Sequence, residues 1–203
     1  MAIGNSPGQA GASNSEPLRR MRRAERREQI LDAATRAFAT AGFAATSLDD
    51  VAAEAGITRV LLYRHFDSKA DMYRAVLDRA CTRLAETVGT DDFDENAIPA
   101  LIRGAAQDPD AFRLLFRHAA REPEFRALTD TLTAAWTDVA GRNLARQMPP
   151  GPWLEWAARV IPAVTTEAVI AWLDAGQPDP DQAADRIGQA VSGVIDAAQH
   201  RQS

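Results

Sequence analysis

The segment Thr46–Lys69, TSLDDVAAEAGITRVLLYRHFDSK, predicts two short helices joined by a tight turn. Apolar residues recur in its first half at i, i+3, i+4 and i+7, the spacing of one helix face. They are Leu48, Val51, Ala52 and Ala55. Gly56 supplies the backbone freedom that ends the first helix and turns the chain. Two helices joined by a short glycine-containing turn form a helix-turn-helix motif.

Hydroxyl side chains lie where both helices of the motif are expected to begin. Thr46 or Ser47 is predicted to cap the first helix, because a hydroxyl oxygen accepts hydrogen bonds from free N–H groups of the first turn. An aspartate three residues on, Asp49 or Asp50, is placed to close a capping box, although less well than glutamate would. Thr58 is predicted to cap the second helix.

The second helix combines a small apolar anchor with a polar surface. Leu62 and Phe66 lie four residues apart and fix the helix to a core, and the helix is expected to end near Phe66. The remaining side chains are Thr58, Arg59, Tyr63, Arg64 and His65. Arginine and hydroxyl groups are those that contact phosphates and base edges in DNA. The alternative, for the spacing alone, is an ordinary helical hairpin with a solvated face.

Charge is unevenly distributed along the 203 residues. The net charge is −5, which argues against a protein that binds polyanions through bulk charge. Residues 1–80 nevertheless carry a net charge of +2, and residues 81–203 carry −7. A basic front and an acidic back indicate a nucleic-acid-binding end and a different function behind it.

Arginines dominate the approach to the motif. They are Arg19, Arg20, Arg22, Arg23, Arg26 and Arg27. Residues 1–17, before this run, are small and polar, so we predict a disordered basic arm over 1–21, followed by a helix from about Arg22 to Ala41. The run is either a phosphate-contacting arm or a solvated tail.

A fourth helix is expected after Phe66, capped by Asp67 or Ser68. Its apolar stripe is Met72, Val76, Leu77 and Ala80. Lys69, the only lysine, falls in the first turn, where the helix dipole disfavours a cation. A nearby DNA phosphate would offset that cost, so Lys69 is interpreted as a DNA contact.

The remainder of the chain also has helical periodicity, and the whole is predicted to be all-α with about nine helices. An acidic linker at 89–95 separates a DNA-binding domain over 22–84, with its helix-turn-helix at 47–66, from a second domain over 85–203. Pro123 is expected to open a helix after a break. Pro162 falls inside the helix predicted over 153–175 and is expected to kink it.

Several classes of protein are disfavoured. Cys81 is the only cysteine, which excludes an internal disulfide and a cysteine zinc cluster. No stretch approaches the roughly 20 apolar residues that span a bilayer, and no signal peptide is evident, so a cytoplasmic protein is expected. The chain lacks an HExxH motif, a nucleophile elbow and a glycine-rich phosphate loop. We therefore expect no catalytic residues, metal or cofactor, and interpret the chain as a non-enzyme.

Residues 27–77 resemble the TetR family of bacterial transcriptional regulators. The resemblance lies in the combination of AFATAGFAATS, VAAEAGI, LYRHF and SK, and FRHAAREPEF, which ends at Phe125, is similar to a junction in the family's C-terminal domains. It implies a three-helix DNA-binding domain, connected by a fourth helix to a C-terminal domain that binds a small molecule and forms a homodimer.

The resemblance also implies which residues contact double-stranded DNA. They are Thr46, Ser47, Thr58, Arg59, Val60, Tyr63, Arg64, His65 and Lys69. Tyr63 and Lys69 would hold phosphates, and Arg59 would be the main base reader. Val60 and Leu61 depart from the small or polar residues common there, and either meet thymine methyl groups or pack against the protein.

An effector pocket, at least partly apolar, is implied in the C-terminal domain. Its candidate residues are Phe112, Phe116, Arg117, His118, Trp136, Trp156, Thr165 and Glu167. Aromatic residues at this spacing equally suit a core, and Trp153, Trp156 and Trp172 equally suit a dimer face. The last two helices are expected to form the dimer interface, through small residues. These are Ala171, Ala190, Gly193, Val194 and Ala197.

A ligand-responsive repressor is therefore the leading hypothesis. In it, effector binding favours a conformation in which the two DNA-reading helices no longer match the groove spacing. A DNA-binding regulator without an effector, either repressor or activator, is the alternative.

Overall fold

The protein is all-helical throughout residues 15–89 and 94–199, the parts described by a computed structural model, with side chains described from residue 23 onward. Nine α-helices and no strand occur in these parts, as the sequence predicted. The helices are α1 Ser15–Ala45, α2 Leu48–Glu54, α3 Arg59–Leu62, α4 Lys69–Val88, α5 Ala97–Gln107, α6 Pro109–Arg113, α7 Arg126–Leu144, α8 Pro152–Asp174 and α9 Pro180–Gln199. A π turn, Leu114–His118, and a 3₁₀ turn, Ala119–Arg121, continue from α6.

The helix α4 connects the N-terminal helices to the rest of the molecule. Its apolar stripe is fully buried and runs from Met72, against α1, to Leu84, near α5. The N-terminal core packed on it includes Ile30, Phe38, Val51, Leu62 and Phe66. Because one continuous helix serves both halves, a movement of α4 changes the position of α2 and α3 relative to the C-terminal helices.

Two helix boundaries near the N-terminus differ from the prediction. The helix α1 begins at Ser15, so a disordered arm over 1–21 is wrong from residue 15 onward, and residues 1–14 lie outside the described residues. Arginine and glutamate have high helix propensity, which favours this extension of α1. Gly42 interrupts α1 with φ of 78°, and helical hydrogen bonding resumes as far as Ala45.

The second helix of the motif is shorter than predicted. Only Arg59–Leu62 is α-helical, and hydrogen-bonded turns carry the chain through His65 to Phe66. Leu62 and Phe66 are nonetheless both buried, as expected for the anchor. Burial of Phe66, rather than helix propensity, therefore determines the course of the chain after Leu62.

The helix α7 also begins later than predicted. Pro123 does not open it, because the helix starts at Arg126 with Phe125 at its N-cap. Phe125 is only 2% exposed. Its ring packs 4.5 Å from that of Tyr73, measured between centroids. Burial of this aromatic in the N-terminal half holds the preceding segment in a turn.

The helix α8 packs between α7 and α9. Among the described residues it alone is long and apolar enough, by length and composition, to cross a membrane; Arg159 and Glu167 interrupt its apolar sequence, and many of its residues are buried against the rest of the fold. It is continuous through Pro162, where a kink was predicted, and Pro162 is buried. Trp172 is also buried and donates its indole N–H to the Pro178 carbonyl at 2.8 Å. Trp172 therefore does not belong to an exposed dimer face.

Candidate nucleic-acid interface and effector cavity

The start of α2 is fixed by a reciprocal capping box. Ser47 is the N-cap, and its hydroxyl accepts the Asp50 N–H at 3.1 Å. In return, Asp50 accepts the Ser47 N–H at 2.8 Å and the Ser47 hydroxyl at 2.7 Å. These side-chain and backbone bonds hold the pKa of Asp50 below its ordinary value. Of the alternatives in the sequence, Ser47 and Asp50 form the box, and Ser47 remains exposed.

The helix α3 presents most of its predicted contact residues to solvent. Val60 is 69% exposed and Tyr63 is 48% exposed. Thr58, Arg59 and Arg64 are exposed as well. Thr58 occupies the N-cap position with extended backbone, but its hydroxyl makes no capping hydrogen bond. The surface therefore combines two cations, two hydroxyl groups and one aliphatic side chain.

Arg59 is held by partners within the protein. One of its nitrogens donates to the Asp49 carboxylate at 3.0 Å, and another donates to the Tyr63 hydroxyl at 3.2 Å. These two residues raise the pKa of Arg59 above its ordinary value, Tyr63 having the larger effect. The pairing with Asp49 is exposed and therefore easily exchanged. Arg59 is positioned by these contacts but remains available to another acceptor.

Lys69 has an explanation within the fold, which the sequence interpretation missed. Its ammonium donates to the carbonyl oxygens of Phe43 at 2.8 Å, Ala44 at 3.3 Å and Thr46 at 3.0 Å. It also lies 4.5 Å from the centroid of the Phe43 ring. These acceptors at the end of α1 satisfy all three donors of the ammonium group. A DNA phosphate is therefore not needed to account for a cation in this position.

Two further predicted DNA contacts are less accessible than expected. Thr46 is 2% exposed, and its hydroxyl donates to the Gly42 carbonyl at 2.7 Å, so Thr46 closes the turn rather than facing a ligand. His65 is half-buried. Desolvation, and then the neighbouring arginines with Arg23 foremost, lower the pKa of His65 below its ordinary value. A neutral His65 is not a phosphate-binding cation at neutral pH.

A cavity of about 160 Å³ lies among α4, α5, α7, α8 and α9. Of the eight predicted pocket residues, Trp136 and Thr165 line it. Its other walls include Val88, Ile98, Leu101, Ile161, Pro162 and Val191, and Asp94 is the one charged residue among the described residues that line it. The sequence interpretation missed these residues because their apolar spacing is that of any core-facing helix.

The other predicted pocket residues lie elsewhere. Phe112 lines a separate cleft of about 330 Å³ between α4 and α5–α6. Arg117 donates to Asp174 at 2.9 Å. Trp156 and Glu167 are exposed. His118 is half-buried outside the cavity, and burial is the main cause that lowers its pKa.

Phe116 connects the cavity to the π turn, although it does not line the cavity. Its ring centroid lies 5.2 Å from that of Trp136 and 4.7 Å from that of Phe112. The turn then leads to Phe125, whose ring packs 5.0 Å from Phe43. π turns inside helices often occur at functional sites. Two separate ring clusters therefore lie at the two ends of the turn segment, Phe112–Phe116–Trp136 at the cavity and Phe43–Tyr73–Phe125 at the end of α1, and the backbone from the π turn to Phe125 connects them.

The buried Tyr73 lies at the centre of the junction between the two halves. Its hydroxyl has no hydrogen-bond partner among the described residues. Desolvation, with a smaller contribution from Glu122, raises the pKa of Tyr73. At the edge of the junction, Arg74 lies 3.9 Å from Glu124, and both side chains are half exposed. Tyr73 thus lies between the rings of Phe43 and Phe125, where α4 meets both halves.

Comparison with known proteins settles the family. Residues 30–76 match the bacterial regulatory proteins of the tetR family. The transcriptional activator FasR of Mycolicibacterium smegmatis is 32% identical over 191 residues, spanning 87% of this chain and 85% of FasR. The chain belongs to the TetR family. It is thus a DNA-binding transcriptional regulator and not an enzyme, as the sequence predicted.

Other TetR-family proteins cover less of the sequence or are more distant. The transcriptional repressor AcnR of Corynebacterium efficiens is 29% identical over 118 residues, spanning 55% of this chain and 56% of AcnR. A TetR-like transcriptional regulator from Rhodococcus sp. RHA1 superposes with a TM-score of 0.72 at 21% identity, over 82% of this chain and 93% of that one. This structural similarity confirms the fold across both halves of the chain.

Proposed function

We propose that this regulator is a cytoplasmic homodimeric repressor that leaves its operator when a small molecule occupies the cavity beside Trp136. The observation that carries the DNA-binding part is the outward face of α3, on an element whose Leu62 and Phe66 are buried. Cations, hydroxyl groups and one aliphatic side chain on that face match phosphates, base edges and thymine methyl groups.

In the proposed complex, α3 enters the major groove. Arg59 exchanges Asp49 for a guanine edge, because a guanidinium group binds guanine O6 and N7 in bidentate fashion. Tyr63, Arg64, Thr58 and Ser47 contact the backbone. Lys69, Thr46 and His65 then support the motif from behind or beside it.

The effector part rests on the cavity and on the turn segment that leads from Phe116, beside the cavity, to Phe125 in the N-terminal core. A ligand that pushes Trp136 displaces Phe116, which belongs to the π turn. A shift of that turn moves Phe125 against Tyr73 of α4. An effector can change operator affinity only as far as it binds the two conformations differently, so this contact is where the difference would arise.

A dimer is required because one short recognition helix reads few base pairs. Two copies related by a two-fold axis place their recognition helices about 34 Å apart, one turn of DNA. We assign the interface to α8 and α9, where Ala171, Ala190, Gly193 and Ala197 are exposed. Small residues permit close approach between helices of two subunits.

Regulation without release by an effector is the second candidate. FasR, the relative that spans most of this chain, is named an activator, whereas AcnR is named a repressor. Contact with the operator is the same in both cases, and the position of the operator relative to the promoter decides the outcome. Transcription from a promoter that carries the selected operator, measured with and without the protein and with and without a ligand of the cavity, discriminates between them.

Selection from a random duplex library tests operator binding. We expect a two-fold symmetric sequence with half-sites about one helical turn apart. Arg59→Ala should cost about 1–3 kcal/mol at one position of each half-site and relax specificity there. Arg64→Ala should weaken all sequences alike and flatten the salt dependence. Arg103, exposed on α5 and away from the proposed interface, supplies the matched control Arg103→Ala. Failure to enrich any sequence at low salt would contradict the proposal.

A further inference from the structure

Among the described residues, no cationic side chain lines the cavity beside Trp136. Apart from Asp94 and Thr165 its lining is apolar. The Thr165 hydroxyl donates to the Ile161 carbonyl at 2.8 Å, so its proton is already used. A ligand carboxylate in this cavity would lose its hydration without gaining an arginine, lysine or free hydroxyl donor, and an unpaired buried charge is strongly disfavoured.

The first turn of α5 is the other possible source of anion binding, since Ala97 and Ile98 line the cavity. The Ala97 N–H already donates to the Asp94 carbonyl at 3.1 Å and Pro99 has no N–H, so only the Ile98 N–H and the positive dipole end remain to attract an anion. However, the protein already places its own carboxylate there. Asp94 accepts the Asn96 N–H at 2.8 Å and the Asn96 side-chain amide at 3.3 Å. A ligand anion would therefore have to approach Asp94 and compete with it.

We infer that this cavity takes an uncharged or cationic aromatic group and excludes carboxylates. This ligand class rests on the proposed effector role for the cavity. The volume of about 160 Å³ is close to the roughly 150 Å³ of an engineered apolar cavity that binds benzene, which sets the size at one ring. Val88 and Trp136 also wall a second cavity of about 90 Å³. A longer ligand therefore reaches it by displacing Trp136, and with it Phe116, whose ring contacts that of Trp136.

Three probes that share one ring test the inference directly. Benzyl alcohol, benzylamine and benzoate are titrated by calorimetry into the full chain near neutral pH, where they are neutral, cationic and anionic. We expect the alcohol and the amine to bind, and benzoate to bind at least about tenfold more weakly because its charge is unpaired. Asp94→Asn, an exposed change outside the core, should lower the preference for amine over benzoate by up to about fivefold.

Filling the cavity supplies the control for location. Ile161→Trp should abolish binding of all three probes, whereas Ala134→Trp, on an exposed part of α7, should leave binding unchanged. Benzoate binding as tightly as benzylamine, or no probe binding the unmodified protein, would overturn the inference. Operator binding is measured separately on the same samples. A protein that binds no DNA but discriminates among the probes contradicts the proposed function and leaves the ligand class standing.

Discussion

Lys69 stabilises the turn between α1 and α2 from the start of another helix. Its ammonium bonds the carbonyls of Phe43, Ala44 and Thr46, where the negative end of the α1 dipole favours a cation. The unfavourable position at the start of α4 is thereby offset inside the chain. From the sequence alone this partner was not predictable, because Phe43 and Lys69 meet only when α1 and α4 are packed together.

Lys69→Met should therefore destabilise the fold rather than only weaken DNA binding. A hydrogen bond to a charged group contributes about 1.5–3 kcal/mol on average. Because Lys69 is half-buried and water partly replaces its lost partners, we expect the free energy of unfolding to fall by about 2 kcal/mol in total. Urea unfolding followed by circular dichroism measures this. Arg64→Ala is the matched control, since it removes an exposed cation of the same domain and should leave the urea midpoint unchanged. Equal midpoints for both variants would return Lys69 to a role in phosphate binding.

Val60 provides a test of base reading. Its apolar side chain is 69% exposed at the start of α3. The thymine methyl is the apolar group of the major groove, and it is the group that would cover Val60 in a complex with DNA. Replacing each thymine of the selected operator in turn by deoxyuridine removes that methyl. At one position per half-site, we expect the substitution to lower the operator affinity of the unmodified protein but not that of Val60→Ala. Gel retardation of the four combinations measures the coupling, and additive losses at every position would exclude this contact.

At the scale of elements, helix boundaries set by a local cap were predicted, and boundaries set by burial of an aromatic residue were not. The capping box of Ser47 and Asp50 and the Ser68 cap of α4 are local in sequence, and both formed. The end of α3 and the start of α7 depend instead on burial of Phe66 and Phe125, which only the folded neighbours decide. Only part of the cavity lining was predicted, because periodicity identifies the inward face of a helix but does not show whether neighbouring side chains fill the space beyond it.

Gly42 tests how α1 ends. Its φ of 78° is a conformation that side chains rarely adopt, although a Cβ added there would meet no atom within 4 Å. Gly42→Ala should therefore destabilise the protein by about 1–2 kcal/mol through backbone strain. Gly188→Ala is the matched change within α9, where φ is helical and the space is also open. It should instead stabilise by about 0.5–1 kcal/mol. Thermal unfolding of both variants gives the two signs, and a stable Gly42→Ala protein would contradict the strain argument.

At the scale of the whole molecule, α4 and the aromatic junction unite two differently charged halves. The net charge of +2 over residues 1–80 and −7 over residues 81–203 directs a DNA duplex to the first half and away from the second. Tyr73 of α4 contacts Phe43 on one side and Phe125 on the other, at 5.0 and 4.5 Å between ring centroids. The two halves therefore share a core, and a change in one is transmitted by packing rather than through a linker.

The small exposed residues of α9 allow the proposed dimer interface to be tested. On α9, Ala190, Gly193 and Ala197 follow helical spacing and are exposed beside the buried Ile187. A long cation at Gly193 would separate two helices that approach closely there, and its desolvation between them is unfavourable. Gly193→Arg should give a folded monomer by sedimentation and lose most of its operator affinity. Ser192→Arg, exposed on a different face of α9, adds the same charge and should remain dimeric.

If Gly193→Arg still dimerises and binds the operator as tightly as Ser192→Arg, the interface lies on another surface. The exposed rings of Trp153 and Trp156, at the start of α8, would then be the next surface to substitute.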